Sequence, residues 1–86
     1  MSSSEIEVAV PSFGHGLDEA LLVEWNVDVG VRVARGDVVA TVETDKASVE
    51  VVAERAGIID ERLAAERAIV KTGEPLYRLT PIDWEE

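Results

Sequence analysis

The sequence repeats itself with an offset of 37 positions. The matched positions carry aliphatic residues and glycine–acid pairs: Leu21-Leu22 with Ile58-Ile59, Glu24 with Glu61, Val33 with Val70, Gly36-Asp37 with Gly73-Glu74, Val39 with Leu76, and Val42 with Leu79. Each copy is too small to close a core alone, so the two copies would bury their apolar faces against each other. The repeat therefore predicts two sheets related by an approximate two-fold.

Short valine-rich runs are interrupted by Gly, Pro, Asp or Asn, a pattern typical of strands rather than helices. The predicted strands lie near Ile6–Val10, Ala20–Val27, Val38–Glu43, Ala47–Val52, Gly57–Leu63 and Pro75–Thr80, with two very short ones near Val31–Val33 and Ala68–Val70. Ala64–Ala68 could instead carry a helical turn, because Ala, Glu and Arg favour helix. The expected fold is all-β, a sandwich or flattened barrel.

The largest mismatch in the repeat sets Gly30 against Arg67. Glycine suits a turn with positive φ, where a residue with a Cβ is strained. Either the second turn has another shape, or Arg67 tolerates that strain.

Composition limits the class of protein. The chain has 86 residues, no cysteine, one histidine and a net charge of −10, which predicts a single domain over residues 1–86 with a core at about 5–80. Such an acidic surface repels phosphate backbones and anionic membranes, and the chain offers neither a membrane span nor a signal peptide. We expect no nucleic-acid partner, no membrane association and no metal site, and a soluble, cytoplasmic protein.

Two alternating runs, Val38–Glu43 and Ala47–Val52, are separated by Thr44-Asp45-Lys46 in the layout of a tight hairpin. Asn-Gly or Asp-Gly would be the favoured filling for the commonest two-residue turn. Only two of the eight basic residues are lysine, at positions 46 and 71. A lysine at a hairpin tip is most often simply solvated, but it offers a primary amine that can be acylated.

Glu43-Thr44-Asp45-Lys46-Ala47 resembles the attachment hairpin of lipoyl domains in the biotinyl/lipoyl attachment family. The resemblance extends upstream through Trp25–Val38 and downstream through Ala56-Gly57-Ile58-Ile59 and Thr72–Leu76, and so covers nearly the whole chain. The upstream stretch is similar to the one that precedes the lipoyl lysine in the dihydrolipoyl acyltransferases of 2-oxo acid dehydrogenase complexes.

The resemblance implies a flattened barrel of two four-stranded antiparallel sheets, with the lysine on a hairpin at one end and both termini at the other. Lys46 would carry lipoic acid as an amide, and Glu43, Thr44, Asp45 and Ala47 would be recognition residues of that hairpin. The domain would be a carrier without catalytic residues, monomeric when isolated. In a eukaryote its place would be the mitochondrial matrix, after processing.

The implied partners are a lipoate ligase or lipoyl transferase and three enzymes that the carrier visits. A thiamine-diphosphate decarboxylase would load an acyl group, an acyltransferase would pass it to coenzyme A, and a flavin dihydrolipoyl dehydrogenase would reoxidise the arm. The loop with Gly14, His15, Gly16, Asp18 and Glu19 corresponds to a family loop that helps the decarboxylase recognise its carrier; a merely flexible, solvated glycine loop is the alternative.

Three other interpretations stay open. A biotin carrier has a similar fold, but methionines typically flank its lysine, whereas Asp45 and Ala47 stand here. The glycine-cleavage H-protein is longer than this chain. An unmodified lipoyl-like interaction module would need no lysine at the tip. The chain also lacks the long Ala/Pro-rich linker of acyltransferases, which suggests an excised domain or a free-standing carrier.

Overall fold

The computed structural model describes residues 5–14 and 16–82. They form eight strands: β1 (Ile6–Ala9), β2 (Glu19–Trp25), β3 (Arg32–Val33), β4 (Val38–Glu43), β5 (Ser48–Val52), β6 (Gly57–Arg62), β7 (Ile69–Lys71) and β8 (Pro75–Pro81). All pairings are antiparallel, in two four-stranded sheets with the orders β1-β8-β6-β3 and β5-β4-β2-β7. The prediction of an all-β fold of two such sheets is confirmed. Within the described residues, no helix is long and apolar enough to cross a membrane.

The sequence repeat is also a structural repeat. Exchanging β1 with β5, β2 with β6, β3 with β7 and β4 with β8 converts one sheet order into the other. Even the irregularities recur, because the register shifts between Leu22 and Glu24 and again between Ile59 and Glu61, at the same offset as the sequence repeat. The predicted two-fold therefore extends to the level of individual strand pairs.

The core lies between the two sheets. Each pair of repeat-equivalent core residues contributes one side chain from each sheet. Fourteen hydrophobic residues are buried among the described residues, including the pairs Leu22 and Ile59, Val33 and Val70, Val39 and Leu76, and Val42 and Leu79. Tyr77 is one of the fourteen, and it is the repeat equivalent of Ala40, which is buried too. Burial raises the pKa of the Tyr77 phenol, and the Glu54 carboxylate raises it further.

Trp25 and Arg62 occupy equivalent repeat positions and contact each other. The Arg62 guanidinium lies 5.8 Å from the centre of the Trp25 ring, within cation–π range. Trp25 Nε1 donates to the Ala64 carbonyl at 3.0 Å, and Arg62 Nη1 donates to the Val27 carbonyl at 3.3 Å. These reciprocal bonds join the two copies of the repeat. Trp25 is half-buried.

Arg67 adopts the backbone conformation of a glycine. Its φ is 76°, close to the 92° of Gly30. The two turns also make the same bond, from Gly30 N–H to the Ile59 carbonyl and from Arg67 N–H to the Leu22 carbonyl, each at 2.7 Å. The second turn thus keeps the shape of the first, and Arg67 bears the strain. A helical turn over Ala64–Ala68 is wrong, because this segment builds the tight turn that the repeat requires.

Arg67→Gly should raise the free energy of unfolding by up to about 1 kcal/mol, because glycine reaches positive φ without a Cβ clash. The midpoint of urea unfolding measures the change. Arg67→Ala is the matched control, since it removes the same side chain but keeps the Cβ, and it should give no such gain. An unchanged or lower midpoint for Arg67→Gly would contradict strain at this turn.

Candidate functional site

The hairpin between β4 and β5 presents Lys46 at one end of the barrel. The pairs Val42↔Val49 and Glu43↔Ser48 are the last in register before the turn. Val42 is buried, so the base of the hairpin is fixed in the core while its tip reaches solvent. The structure places the sequence-predicted hairpin residues together at this tip, with Glu43, Asp45, Lys46 and Ala47 exposed and Thr44 half-buried.

The Thr44 side chain holds the turn closed. Its Oγ1 accepts hydrogen bonds from the backbone N–H groups of Lys46 and Ala47, both at 3.1 Å. The same hydroxyl donates to the Ala47 carbonyl at 3.0 Å, while the Thr44 N–H donates to that carbonyl at 2.9 Å. One hydroxyl therefore uses its donor and both acceptor sites on the backbone that carries Lys46.

Lysine is compatible with this turn. Among the described residues, Arg67 is the one non-glycine residue with positive φ, so Asp45 and Lys46 both have negative φ. The tip therefore does not adopt the turn that demands Asn-Gly or Asp-Gly. The Thr44 hydroxyl adds side-chain hydrogen bonds that close this turn around Asp45 and Lys46.

The Lys46 ammonium has no hydrogen-bond or ion-pair partner among the described residues. It is an exposed primary amine on a tip whose backbone is fixed. Lys71 is also exposed, but it lies within β7 in register with Glu19, and its backbone N–H donates to Glu74 Oε1 at 3.1 Å. The two lysines therefore differ in setting, and Lys46 has the one expected of an amine presented to an enzyme.

The loop before β2 and the hairpin border the same open groove of about 520 Å³, which we call the hairpin groove. Asp18 from the loop, Glu19 at the start of β2, and Glu43 and Asp45 from the hairpin all line it. Gly16 also lines this groove, which brings much of the predicted recognition loop beside the candidate site.

Gly14 of the predicted loop does not line the groove. Its carbonyl accepts a hydrogen bond from the Leu17 N–H at 3.1 Å. His15 lies outside the described residues. The loop is closed by glycines with positive φ, at 121° for Gly14 and 78° for Gly16. Its shape therefore depends on glycine at both positions.

The floor of the hairpin groove was missed by reasoning from the sequence. Leu17, Leu21 and Ile69 line it, and Ile69 is 55% exposed. A signal was present for Leu21, since it lies between Ala20 and Leu22 in an uninterrupted apolar run, and strand alternation turns one of three successive side chains outward. The role of Thr44 was signalled by a hydroxyl residue at the start of a turn.

The predicted position of the two chain termini lies outside the described residues, but β1 begins and β8 ends away from the Lys46 hairpin. Strand β1 leads from Ile6 toward the loop that borders the hairpin, and β8 runs antiparallel to β1 with Ile6 opposite Leu79. Ile6 and the Pro81 end of β8 therefore share the end of the barrel that is remote from the hairpin.

Among residues 5–14 and 16–82, no group of three or more His, Cys, Asp or Glu side chains is placed to hold a metal ion.

Comparison with known proteins gives a consistent picture. The profile of a protein family described as "Biotin-requiring enzyme", the biotin/lipoyl family, matches residues 6–79. The dihydrolipoyllysine-residue succinyltransferase component of the 2-oxoglutarate dehydrogenase complex from Staphylococcus saprophyticus is 40% identical over 70 residues, which is 81% of this chain and 16% of that protein. The dihydrolipoyllysine-residue acetyltransferase component of the pyruvate dehydrogenase complex from Staphylococcus epidermidis is 30% identical over 80 residues, 93% of this chain and 18% of that protein. The chain thus spans less than a fifth of either relative.

Two solved structures share the fold. The lipoyl domain of the 2-oxoglutarate dehydrogenase complex from Azotobacter vinelandii matches with a TM-score of 0.69 and 33% identity, over 87% of this chain and 95% of that domain. A single-chain, multi-domain long-chain acyl-CoA carboxylase matches with a TM-score of 0.79 over 96% of this chain and 8% of that protein. At 20% identity, the second match shows the fold alone.

Proposed function

Because this chain belongs to the biotin/lipoyl family, we propose that it is a lipoyl carrier domain of a 2-oxo acid dehydrogenase complex, with Lys46 as its attachment lysine. The observation that carries the proposal is the exposed Lys46 amine, which has no partner among the described residues, on a turn whose backbone is closed by Thr44. The similarity to the lipoyl domain from Azotobacter vinelandii, which extends over almost the full length of that domain, supports lipoate as the attached group.

The residues at the tip fit a covalently attached arm. An amide on Lys46 needs an amine that is not held in an ion pair, and the described residues give it none. Bound lipoic acid would supply a disulfide that can accept an acyl group together with electrons. The chain contributes a rigid base for the arm, and a flexible tether on a rigid base raises the effective concentration at several sites without fixing one geometry.

The chain would serve as substrate for other enzymes rather than as a catalyst. Its proposed partners are the lipoate ligase or lipoyl transferase, a thiamine-diphosphate decarboxylase, an acyltransferase and a flavin dihydrolipoyl dehydrogenase. Amide formation removes the Lys46 charge and makes the net charge of −10 one unit more negative. Carboxylates on both sides of the hairpin groove would steer this end toward basic entrances of those partners. The proposed setting is the cytoplasm, or the mitochondrial matrix in a eukaryote.

A biotin carrier is the second candidate, because the family profile covers both classes. Asp45 and Ala47, rather than methionines, flank the lysine, which favours lipoate. An unmodified interaction module is the third candidate, and the exposed amine at the tip argues against it. Incubation with a biotin ligase and biotin should leave the intact mass of the protein unchanged.

Reductive acylation tests the proposed function. The lipoylated domain is incubated with a thiamine-diphosphate decarboxylase component, its 2-oxo acid and the thiamine cofactor, and the intact mass is followed with time. We expect the mass of the lipoylated protein, and not that of the unmodified protein, to increase by one acyl group and one hydrogen, because the acyl group bonds to one sulfur of the disulfide and the other sulfur becomes a thiol. Lipoylated protein that stays unacylated with both the pyruvate and the 2-oxoglutarate decarboxylase components would contradict a carrier role in these complexes.

Thr44 is proposed as a positioning residue for the modification of Lys46. Thr44→Val removes the hydroxyl at almost constant volume, and we expect the free energy of unfolding to fall by about 1 kcal/mol. We also expect slower lipoylation at a temperature where the variant is fully folded, because the Lys46 and Ala47 N–H groups lose their shared acceptor. Thr44→Ser keeps the hydroxyl and should restore the rate. Equal initial rates for the valine and serine variants would contradict this role.

A further inference from the structure

The hairpin groove combines an apolar floor with an acidic rim. Leu17 and Leu21 are half-buried on the floor, and Ile69 is 55% exposed there. Glu43 and Asp45 belong to the rim on the hairpin side. An exposed isoleucine beside leucines presents apolar surface to water, and such surface is stabilised when an apolar group covers it.

The floor leads directly away from the attachment hairpin. Leu21 pairs with Glu43 on one side and with Ile69 on the other, so these three residues form one row across β4, β2 and β7. Residues opposite each other in a row point to the same face of the sheet, and the buried neighbours Leu22 and Val42 point to the other face. Adjacent strands lie about 4.8 Å apart, so the row from Glu43 to Ile69 spans about 10 Å.

We propose that the hairpin groove is the resting site of the lipoyl arm on Lys46, with the arm lying along Leu21 and Ile69. This inference rests on the proposed function. Asp45, the residue before Lys46, already lines the groove, and a lysine side chain extended by a lipoyl chain is longer than the row. The occupant is covalently attached at the edge of the groove, which gives it a high effective concentration there.

The chemistry of the arm suits this surface. Amide formation replaces the ammonium by a neutral group, and the remaining chain and dithiolane ring are apolar, so covering Leu21 and Ile69 removes apolar area from water on both sides. The rim carboxylates Glu43 and Asp45 do not oppose a neutral arm, whereas they would repel an anionic ligand. A resting site occupied about half of the time still leaves the arm able to leave for a partner enzyme.

Methyl NMR spectra test the resting site. Spectra are recorded for the domain lipoylated on Lys46, with the modification verified by mass, and for the domain acetylated on Lys46, which has the same neutral amide but no long arm. We expect the methyl signals of Leu21 and Ile69 to shift in the lipoylated domain only. The methyls of Val29 and Val52 serve as controls, because they are 53% and 44% exposed and do not line the groove.

A second measurement uses the reactivity of the arm. Ile69→Ser should make the lipoyl disulfide about twofold more rapidly reduced by a small soluble phosphine, because a smaller docked population protects it less. Val29→Ser, the matched surface control, should leave the rate unchanged. Shifts confined to the hairpin tip, equal shifts in the acetylated domain, or equal reduction rates in the two serine variants would overturn the resting site.

Two further outcomes are distinguishable. Shifts of Leu21 and Ile69 that occur only after a partner enzyme is added would assign the groove to that partner and overturn the resting site. The absence of lipoate on Lys46 by mass would instead overturn the proposed function, and the resting site with it.

Discussion

We expect Lys46→Arg to abolish lipoylation completely and to leave the fold intact. The guanidinium stays protonated and cannot be acylated as a primary amine can. Lys46 is exposed and has no side-chain partner among the described residues, so its replacement should change the free energy of unfolding by no more than about ±0.5 kcal/mol. Intact mass after incubation with lipoate ligase measures the modification, and the urea midpoint measures the stability.

Lys71→Arg is the matched control for this experiment. Lys71 is the other lysine of the chain and is also exposed, but it lies within β7. The Lys71→Arg protein should be lipoylated at the parental rate. Residual lipoylation of Lys46→Arg, or its loss in Lys71→Arg, would show that the hairpin lysine is not the attachment site.

Gly57→Ala should cause the largest loss of stability among the single substitutions considered. A Cβ at position 57 would lie 2.5 Å from the Thr80 carbonyl oxygen, and 2.7 and 2.9 Å from Cγ and Cδ2 of Leu79. The carbonyl belongs to β8, which pairs with β6 along its length, so it cannot move without disturbing the sheet. Overpacking of this kind costs roughly 1–3 kcal/mol, and we expect the upper end of that range from urea unfolding.

Gly30→Ala separates steric clash from backbone strain. A Cβ at position 30 meets no atom within 4 Å, but φ is +92°, so the cost should be about 1 kcal/mol. Arg67 already shows that a residue with a Cβ is tolerated at the equivalent turn. A loss for Gly57→Ala no greater than that for Gly30→Ala would mean that β6 and β8 yield more easily than the distances indicate.

Much of the architecture was predictable because the pattern of apolar residues marks each strand locally and recurs in the second copy of the repeat. The Val38–Glu43 strand was predicted with its observed bounds, since alternating aliphatic residues between Asp37 and Thr44 leave little choice. The offset of Leu22 from Ile59 gave the relation between the two sheets. Boundaries differ where the last apolar residues belong to a turn, as at Val27, which lies beyond the end of β2 at Trp25.

The features that were not predictable depend on contacts between segments distant in sequence. The bond from Trp25 Nε1 to the Ala64 carbonyl joins residues 39 positions apart, and neither residue alone indicates it. Ile69 becomes part of the hairpin groove only because β7 pairs with β2. For the candidate site, sequence motifs predicted Lys46 and its neighbours, whereas the groove floor depends on the pairing of β2 with β4 and β7.

Peptide-resolved mass spectrometry of the parental protein is the most direct test of Lys46 as the lipoyl attachment site. The protein is incubated with lipoate ligase and lipoate, digested, and its peptides containing Lys46 and Lys71 are compared. We expect one lipoyl amide, located on Lys46 and absent from Lys71. Lipoate on Lys71, or biotin on Lys46 after treatment with a biotin ligase while lipoate is refused, would contradict it.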